Sequence, residues 1–441
     1  MRRFADQLHR PATGTSGHRV PTIAPSRQGR SDTPLAEERA RAQNERERFD
    51  GGLPVLQLRG WCLGLAAVAV TACARPSPNP AGGARDSRAA STDASRIPAR
   101  LADSTFWRMV TEFSEPGGFF RSDNFVSNET SFMYVIPELQ RTTQPGGVYL
   151  GVAPDQNFTY LIALKPRIAF IVDIRRQNMI HHLMYKAMIE MSADRAGFMS
   201  MLFARARPAG LDAESTPEQL FNAYATASPD TLLYAKNLAA ITDWLTKRHG
   251  FGLTANDLQM LDYVYRAFAT AGPDITYAFP SGGGRGFGRW PTYAQLMLES
   301  DGQGKNRSYL ANETNFRALK ELQTNNLLVP LVGNFSGEKT LRTVAKYLKD
   351  RGATVTAFYT SNVEQYLFQQ GDDWQRFYTN VAALPLDSSS TFIRSLSNGN
   401  GFRPGSPNSR SVQLLSSMME TLKAVQDGRV QTYYDMIQLA K

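Results

Sequence analysis

The chain is poor in the residues that build metal centres and disulfide frameworks. Its 441 residues hold two cysteines, Cys62 and Cys73, and five histidines. His181 and His182 are adjacent, so on a helix they point about 100° apart and do not chelate one ion as an i, i+4 pair would. Outside the N-terminal tail the only other histidine is His249, and no metal site is expected. No G-x-S-x-G and no P-loop occurs in the sequence, which argues against a hydrolase or another nucleotide enzyme. The net charge is +9, but eleven arginines and seven acids among residues 1–60 supply four of those nine charges. The rest is only mildly basic and does not imply nucleic-acid binding.

The most informative stretch runs from Gly146 to Arg176. Val148–Val152 is a short apolar run with β-branched ends, the pattern of a buried strand. The turn Gly151-Val152-Ala153-Pro154 follows, and Asp155, Gln156 and Asn157 offer polar caps for a helix over Phe158–Leu164. A second apolar run, Ile168–Val172, ends on Asp173. Strand, small-residue turn, helix, strand and acid open a nucleotide-binding α/β unit. Gly151 and Asp173 are 22 positions apart, near the roughly 20 expected between a glycine turn and a ribose-binding carboxylate. A turn without bulky side chains lets a ligand approach the backbone, and the next helix offers unpaired N–H groups. The candidate cofactor residues here are Gly151, Ala153, Asp155, Gln156, Asn157, Asp173 and Arg175. The G-x-G-x-x-G pattern is incomplete, since Ala153 and Gln156 stand where glycines would stand. That argues against NAD or FAD and favours a nucleoside without phosphates, such as S-adenosylmethionine. The competing explanation is an ordinary βαβ unit with an acid at a strand end.

Residues 1–60 lack sustained apolar periodicity and are expected to be disordered. Residues 61–73 form an apolar run too short to span a bilayer comfortably but suited to the core of a secretion signal. Its end, Val70-Thr71-Ala72-Cys73, resembles the lipobox of bacterial lipoproteins. That resemblance implies lipidation of Cys73, removal of Cys62 and a membrane anchor. A signal with more than 50 residues ahead of it is abnormal, so the true start is expected downstream, at Val55 if its codon initiates. Residues 74–100 read as a flexible tether. The other reading of residues 61–73 is a buried helix or a chance apolar run.

The folded part divides into 101–206, a helical insertion over 207–323, and 324–441. After a helix at Thr105–Phe113, the polar, turn-rich stretch 114–129 is placed to fold over a ligand. Asp123, Asn124, Asn128 and Glu129 are therefore candidates for the substrate side, with capping and surface turns as the plain alternative. Helical spacing continues over Thr130–Leu139 and Gln177–Ala206. Thr216-Pro217-Glu218-Gln219 predicts a capping box with proline at the first helical position, and further helices follow from Ser228 and Thr254. Pro273–Pro280 reads as a strand, and the loop from Ser281 to Arg289 carries glycines and arginines that suit either an anion or a mobile surface. The region Tyr293–Gln323 is helical. Leu327–Val332 and Ala353–Tyr359 read as buried strands, with a helix capped by Ser336 between them. Asn334, Ser361, Asn362 and Glu364 follow these two strands, where open α/β sheets bind ligands. Ser361-x-x-Glu364 is also a textual capping box. A helix at Trp374–Leu384, an edge strand at Ser388–Ser395 and helices at Ser411–Gln426 and Arg429–Leu439 complete the reading.

Together, SEPGGFFRSDNFVSNE, GGVYLGVAPDQNFTYL, IVDIRR and FYTSNVEQYL resemble an uncharacterised bacterial family of Rossmann-like, methyltransferase-type proteins, over residues 104–400. The resemblance implies an α/β fold with a mostly parallel sheet and a pocket, but no established reaction. Two readings lead: an S-adenosylmethionine-dependent transferase, and a lipid-anchored protein that binds a small molecule without chemistry. The methyl donor is made in the cytoplasm, whereas a lipobox implies export to the cell envelope. A spurious signal would leave the protein cytoplasmic.

Cys73→Ser is expected to release the protein from the membrane fraction, because a lipid anchor is the membrane attachment the sequence offers. Fractionation that leaves the variant membrane-bound, or a soluble wild type with an intact N-terminus, contradicts the lipoprotein reading.

Overall fold

A computed structural model describes residues 96–278, 290–397 and 411–440. The apolar run 61–73, Cys73, most of the tether and the glycine–arginine loop lie outside the described residues. The described chain opens with α1 (Asp103–Glu112), a 3-10 turn (Phe132–Val135) and α2 (Ile136–Thr142). It then forms β1 (Val148–Gly151), α3 (Gln156–Leu164) and β2 (Ile168–Asp173). Every residue of β1 and β2 is buried, as expected of parallel strands covered on both faces.

Between β2 and the next strand run α4 (Arg176–Met191), α5 (Arg195–Phe203), α6 (Pro217–Thr226), α7 (Thr231–Asp243), α8 (Ala255–Ala271), α9 (Tyr293–Leu298) and α10 (Glu313–Thr324). The capping box Thr216/Gln219 opens α6, and Thr254/Asp257 repeats the device at α8. Then come β3 (Leu328–Val332), α11 (Thr340–Lys349), β4 (Val355–Ser361), α12 (Val363–Leu367), α13 (Asp373–Ala382), β5 (Thr391–Ser397), β6 (Ser411–Ser417), α14 (Met418–Gln426) and α15 (Tyr433–Gln438). α4 packs on β2 and β3, while α8 and α10 pack on α4. α4 is buried from Asn178 to Ile189. Within it Lys186 donates to Glu190 at 2.7 Å and to the Gln323 carbonyl at 2.5 Å. Glu190 also accepts from the Trp244 indole at 2.7 Å, so one buried ion pair ties the helical layers together.

The six strands form one sheet in the order β3-β2-β1-β4-β5-β6. All neighbours are parallel except β5 and β6. This is the expected α/β, Rossmann-like, mostly parallel sheet, and all four strands anticipated for it are present. β1 pairs with β2 from Val148↔Ile168 to Gly151↔Ile171 and with β4 through Tyr149↔Ala357 and Leu150↔Phe358. The chain order therefore reverses between β1 and β4, and such a switch point leaves a crevice outside the carboxyl ends of the strands. β3 is an edge strand, which lets it carry Pro330 without losing a ladder bond inside the sheet.

Several elements differ from the expectation. The long helix over 177–206 breaks at Ser192–Asp194. The Ser192 hydroxyl bonds back to the Met188 carbonyl, and the Asp194 carboxylate caps α5 through Gly197 N–H; both devices favour a helix end over its continuation. Residues 411–417 are strand rather than helix, because Val412, Leu414 and their neighbours alternate across a sheet before Ser417 caps α14. β5 is consequently an internal strand, not an edge. Ser336 does not cap α11; it turns onto the Asn334 side chain four residues before the helix begins. The anticipated strand at 273–280 is, as far as 278, a 3-10 turn followed by one bridge, Thr276 to Thr292. No described helix is long and apolar enough to cross a membrane.

Candidate ligand site at the carboxyl end of the sheet

The carboxyl ends of β1, β2, β3 and β4 open onto one cavity of about 200 Å³. Ala153 and Gln156 reach it from the β1–α3 turn, Asp173 and Arg175 from the end of β2, Asn334 after β3, and Ser361 and Asn362 from the end of β4. The stretch before β1 closes it with Asn124, Asn128 and Glu129. Gly151, Asp155, Asn157, Asp123 and Glu364 do not line it.

The β1–α3 turn is organised from behind by Asn157, which is fully buried. Its amide nitrogen donates to the carbonyls of Val152, Ala153 and Pro154 at 2.8, 3.0 and 2.7 Å. Its oxygen accepts from the Tyr149 hydroxyl at 2.8 Å. A Cβ on Gly151 would strike that same oxygen, so the glycine makes room for Asn157 rather than for a ligand. Ala153 sits at φ +65°, the left-handed conformation that a glycine would adopt more easily. Its carbonyl also accepts from His182 Nε2 at 2.9 Å. His182 is neutral, since burial pushes its imidazole down to about 4.

Ala153, Asn124 (φ +49°) and Ser361 (φ +52°) are three non-glycine residues in left-handed geometry, and all line the cavity. Backbone strain of this kind collects at ligand sites.

Glu129 sits 4% exposed on the cavity wall. Its Oε2 accepts from Gln156 Nε2 at 2.9 Å and from Gln413 Nε2, on β6, at 3.2 Å, and its Oε1 accepts from the Ser361 hydroxyl. Ser127 orients Gln156 by donating to its Oε1 and accepts from Glu129 N–H at 3.1 Å. Ser361 and Glu364 therefore do not form a capping box. The residue before α12 is Asn362, and it makes no side-chain cap bond. Glu364 instead lies beneath the site in a buried fork with Arg394 at 2.5 and 3.0 Å, and it accepts from Tyr378 at 2.5 Å. Glu364, a candidate for the substrate side in the sequence, does not line the cavity. Asp123 likewise points elsewhere, accepting from Tyr263 at 3.0 Å.

Asp173 ends β2 as anticipated, but its carboxylate is already engaged. Oδ1 accepts from the Arg175 N–H at 2.9 Å and from Arg175 Nε at 3.1 Å, while Oδ2 accepts from Nη2 at 2.9 Å. Arg175 uses its remaining nitrogen to hold the carbonyls of Ser122 and Asp123 at 3.2 and 2.5 Å. The pair clamps the loop before β1 against the sheet and leaves Oδ2 with an unused lone pair.

The stretch 114–129 reaches the mouth, but the residues of its first half that shape it were not singled out in the sequence. Glu115 accepts from the N–H groups of Asn334, Lys339 and Thr340 at 3.0, 2.9 and 2.9 Å. It thereby neutralises the start of α11 from far away in sequence. Just beyond it Gly118 packs against Ile174, where a Cβ would not fit, and the chain then delivers Phe119 and Phe120 to the cavity lip. With Tyr277, Phe335, Tyr359 and Tyr366 they give the cavity an aromatic lining. The SEPGGFF run carried the signal, as two glycines followed by two aromatics in a polar stretch.

Asp155 points away from the cavity into the helical layer and is fully buried. Neither carboxylate oxygen has a hydrogen-bond partner among the described residues. Burial pushes its carboxyl up to about 7, with the backbone N–H groups of Asp155 and Ser127 pulling the other way. The buried hydroxyls of Tyr185, Tyr293 and Tyr309 are close enough to feel its charge. It precedes α3 without capping it.

Compared with known proteins, the chain matches the model of a family described as a domain of unknown function, DUF7790, over residues 124–240 and 288–440. Those two segments cover more than half of the chain. No curated protein matches it.

Because the Asp155 carboxyl is raised in the folded state above its ordinary value, it favours folding fully below about pH 4 and loses that contribution as pH rises through about 7. The difference is on the order of 4 kcal/mol. Asp155→Asn is expected to flatten this dependence, gaining stability over the wild type at pH 8 and losing the advantage near pH 4. Denaturant melts at several pH values that show parallel curves for both proteins contradict this assignment.

Proposed function

The chain belongs to the DUF7790 family, and from its cavity we propose that it is a methyltransferase-type protein that binds S-adenosylmethionine, with an acceptor yet to be named. The observation that carries the reading is the position of the cavity at the β1/β4 switch point with Asp173 on its wall. A phosphorylated dinucleotide is disfavoured on two counts. The left-handed position is filled by Ala153, and the Glu129 carboxylate would repel phosphate. A nucleoside avoids both, its ribose meeting the open lone pair of Asp173 and its base meeting the aromatic lining. At about 200 Å³ the cavity is smaller than the roughly 300–1,000 Å³ of drug-sized sites. In this reading it holds part of the ligand, and the remainder reaches the lip, where Phe119 is 85% exposed.

A second reading keeps the pocket without chemistry, in an exported protein anchored through Cys73. The lipobox-like end of residues 61–73 favours it, because a methyl donor made in the cytoplasm is hard to supply outside. Both readings predict a nucleoside in the same cavity.

Calorimetry on the full chain with S-adenosylmethionine and S-adenosylhomocysteine tests this. Asp173→Asn is expected to weaken binding about ten- to a hundredfold, the effect of losing a charged acceptor to a neutral donor. If neither compound binds the wild type at millimolar concentration, the cofactor assignment fails and Asp173 serves only to clamp Arg175.

A further inference from the structure

Among the described residues two buried carboxylates stand without a lysine or arginine: Asp155, which faces the helical layer, and Glu129, which lines the cavity. Asp173, Glu190, Asp257, Asp301, Glu313 and Glu364 are each paired with a lysine or arginine. An unpaired charge in a protein interior is costly, and a cation is the usual remedy. Glu129 is as buried as these but has no basic partner among the described residues. Its partners are neutral: the Ser361 hydroxyl and the amides of Gln156 and Gln413. In each contact the Glu129 carboxylate accepts. The donors come from β4, α3 and β6, so two strands and a helix converge to hold one carboxylate. Ser127 adds a further layer by fixing the orientation of Gln156.

This carboxylate faces the cavity. The Asp173–Arg175 pair on the same wall cancels to zero, so the charged side chains among the described lining residues sum to a single negative charge. Glu129 lies close enough to the Tyr359 ring for its charge to act on that hydroxyl. Tyr359, Tyr366 and Phe120 supply aromatic surface in the same space, and aromatic faces attract organic cations electrostatically. The cavity thus presents the Glu129 carboxylate and aromatic walls, and no basic side chain pairs with that carboxylate among the described residues.

We infer that the ligand of this cavity carries an organic cation, a sulfonium or an ammonium, and that Glu129 is its counter-ion. The inference rests on the reading of the cavity as the ligand site and narrows the ligand to a positively charged one. It also accounts for the neutral shell. Amide and hydroxyl donors position the carboxylate without discharging it, whereas an internal lysine or arginine would have competed with the ligand.

The test is calorimetry of the wild type and Glu129→Gln, full chain, with three related probes. S-adenosylmethionine carries a sulfonium beside its ammonium and carboxylate, for a net charge of +1; S-adenosylhomocysteine keeps the ammonium and carboxylate without the sulfonium, and 5′-methylthioadenosine carries none of the three. The wild type is expected to bind the first more tightly than the third by about ten- to a hundredfold. Glu129→Gln is expected to erase that margin while still binding 5′-methylthioadenosine, which doubles as the check that the variant is folded. An intermediate affinity for S-adenosylhomocysteine would assign part of the effect to the sulfonium, and an affinity equal to S-adenosylmethionine would assign it to the ammonium. A wild type that binds all three alike, or a margin that persists in Glu129→Gln, overturns the inference. Should Glu129→Gln not fold, Glu129→Asp keeps the charge one methylene further back, and it is expected to weaken the charged probes several-fold; unchanged affinity overturns the inference. If no adenosine compound binds the wild type, the nucleoside reading falls separately. Thermal stabilisation by millimolar spermidine, present in the wild type and absent in Glu129→Gln, would then still support a cation site, and no stabilisation would end it.

Discussion

The upper end of the sheet depends on one side chain, Asn157, and the three consecutive carbonyls it collects. Burying those carbonyls without donors would cost roughly 1–3 kcal/mol each, and Asn157 serves all three, with His182 as a second donor to the Ala153 carbonyl. Its presence dictates the neighbours. Gly151 must lack a side chain because Asn157 occupies the space, and Ala153 accepts a strained backbone because the carbonyls on either side are fixed. The result is a turn whose polarity is spent internally. A G-x-G-x-x-G turn offers its backbone to a pyrophosphate, whereas this one offers a short apolar rim and the side chain of Gln156.

The cavity therefore draws its chemistry from elements far apart in sequence. Glu129 reaches it from the loop before α2, held by Gln413 from the antiparallel strand β6. Ser361 comes from β4, at a position where the left-handed backbone turns its hydroxyl toward Glu129. Directly below, the fully buried Glu364–Arg394 fork joins α12 to β5. A fork of this kind fixes geometry more than it adds stability, because both charges had to leave water. It holds the end of β4 in place under the site.

How much of this was readable in the sequence depended on range. The strands were legible because their runs, such as Ile168–Val172, are apolar at every position and end on turn residues. Asp173 was legible as a strand-end acid and Arg175 was named beside it as a candidate cofactor residue, but that Arg175 occupies most of the Asp173 acceptors was not. Strand β6 was hidden because S-V-Q-L-L-S-S reads equally as half of an amphipathic helix, and only pairing with β5 decides between the two. The text S-x-x-E at Ser361 suggested a local cap, yet both side chains found distant partners instead, Glu129 and Arg394. Local chemistry was visible; contacts between residues more than two hundred positions apart were not.

The measurement that bears most directly on the account is mass spectrometry of small molecules released from protein purified after native expression. The account predicts an adenine nucleoside bearing a sulfonium or ammonium group, recovered from the wild type in near-stoichiometric amount. Recovery of a phosphorylated or otherwise anionic ligand instead would contradict it, since Glu129 and the closed β1–α3 turn leave such a molecule no counter-charge in the cavity.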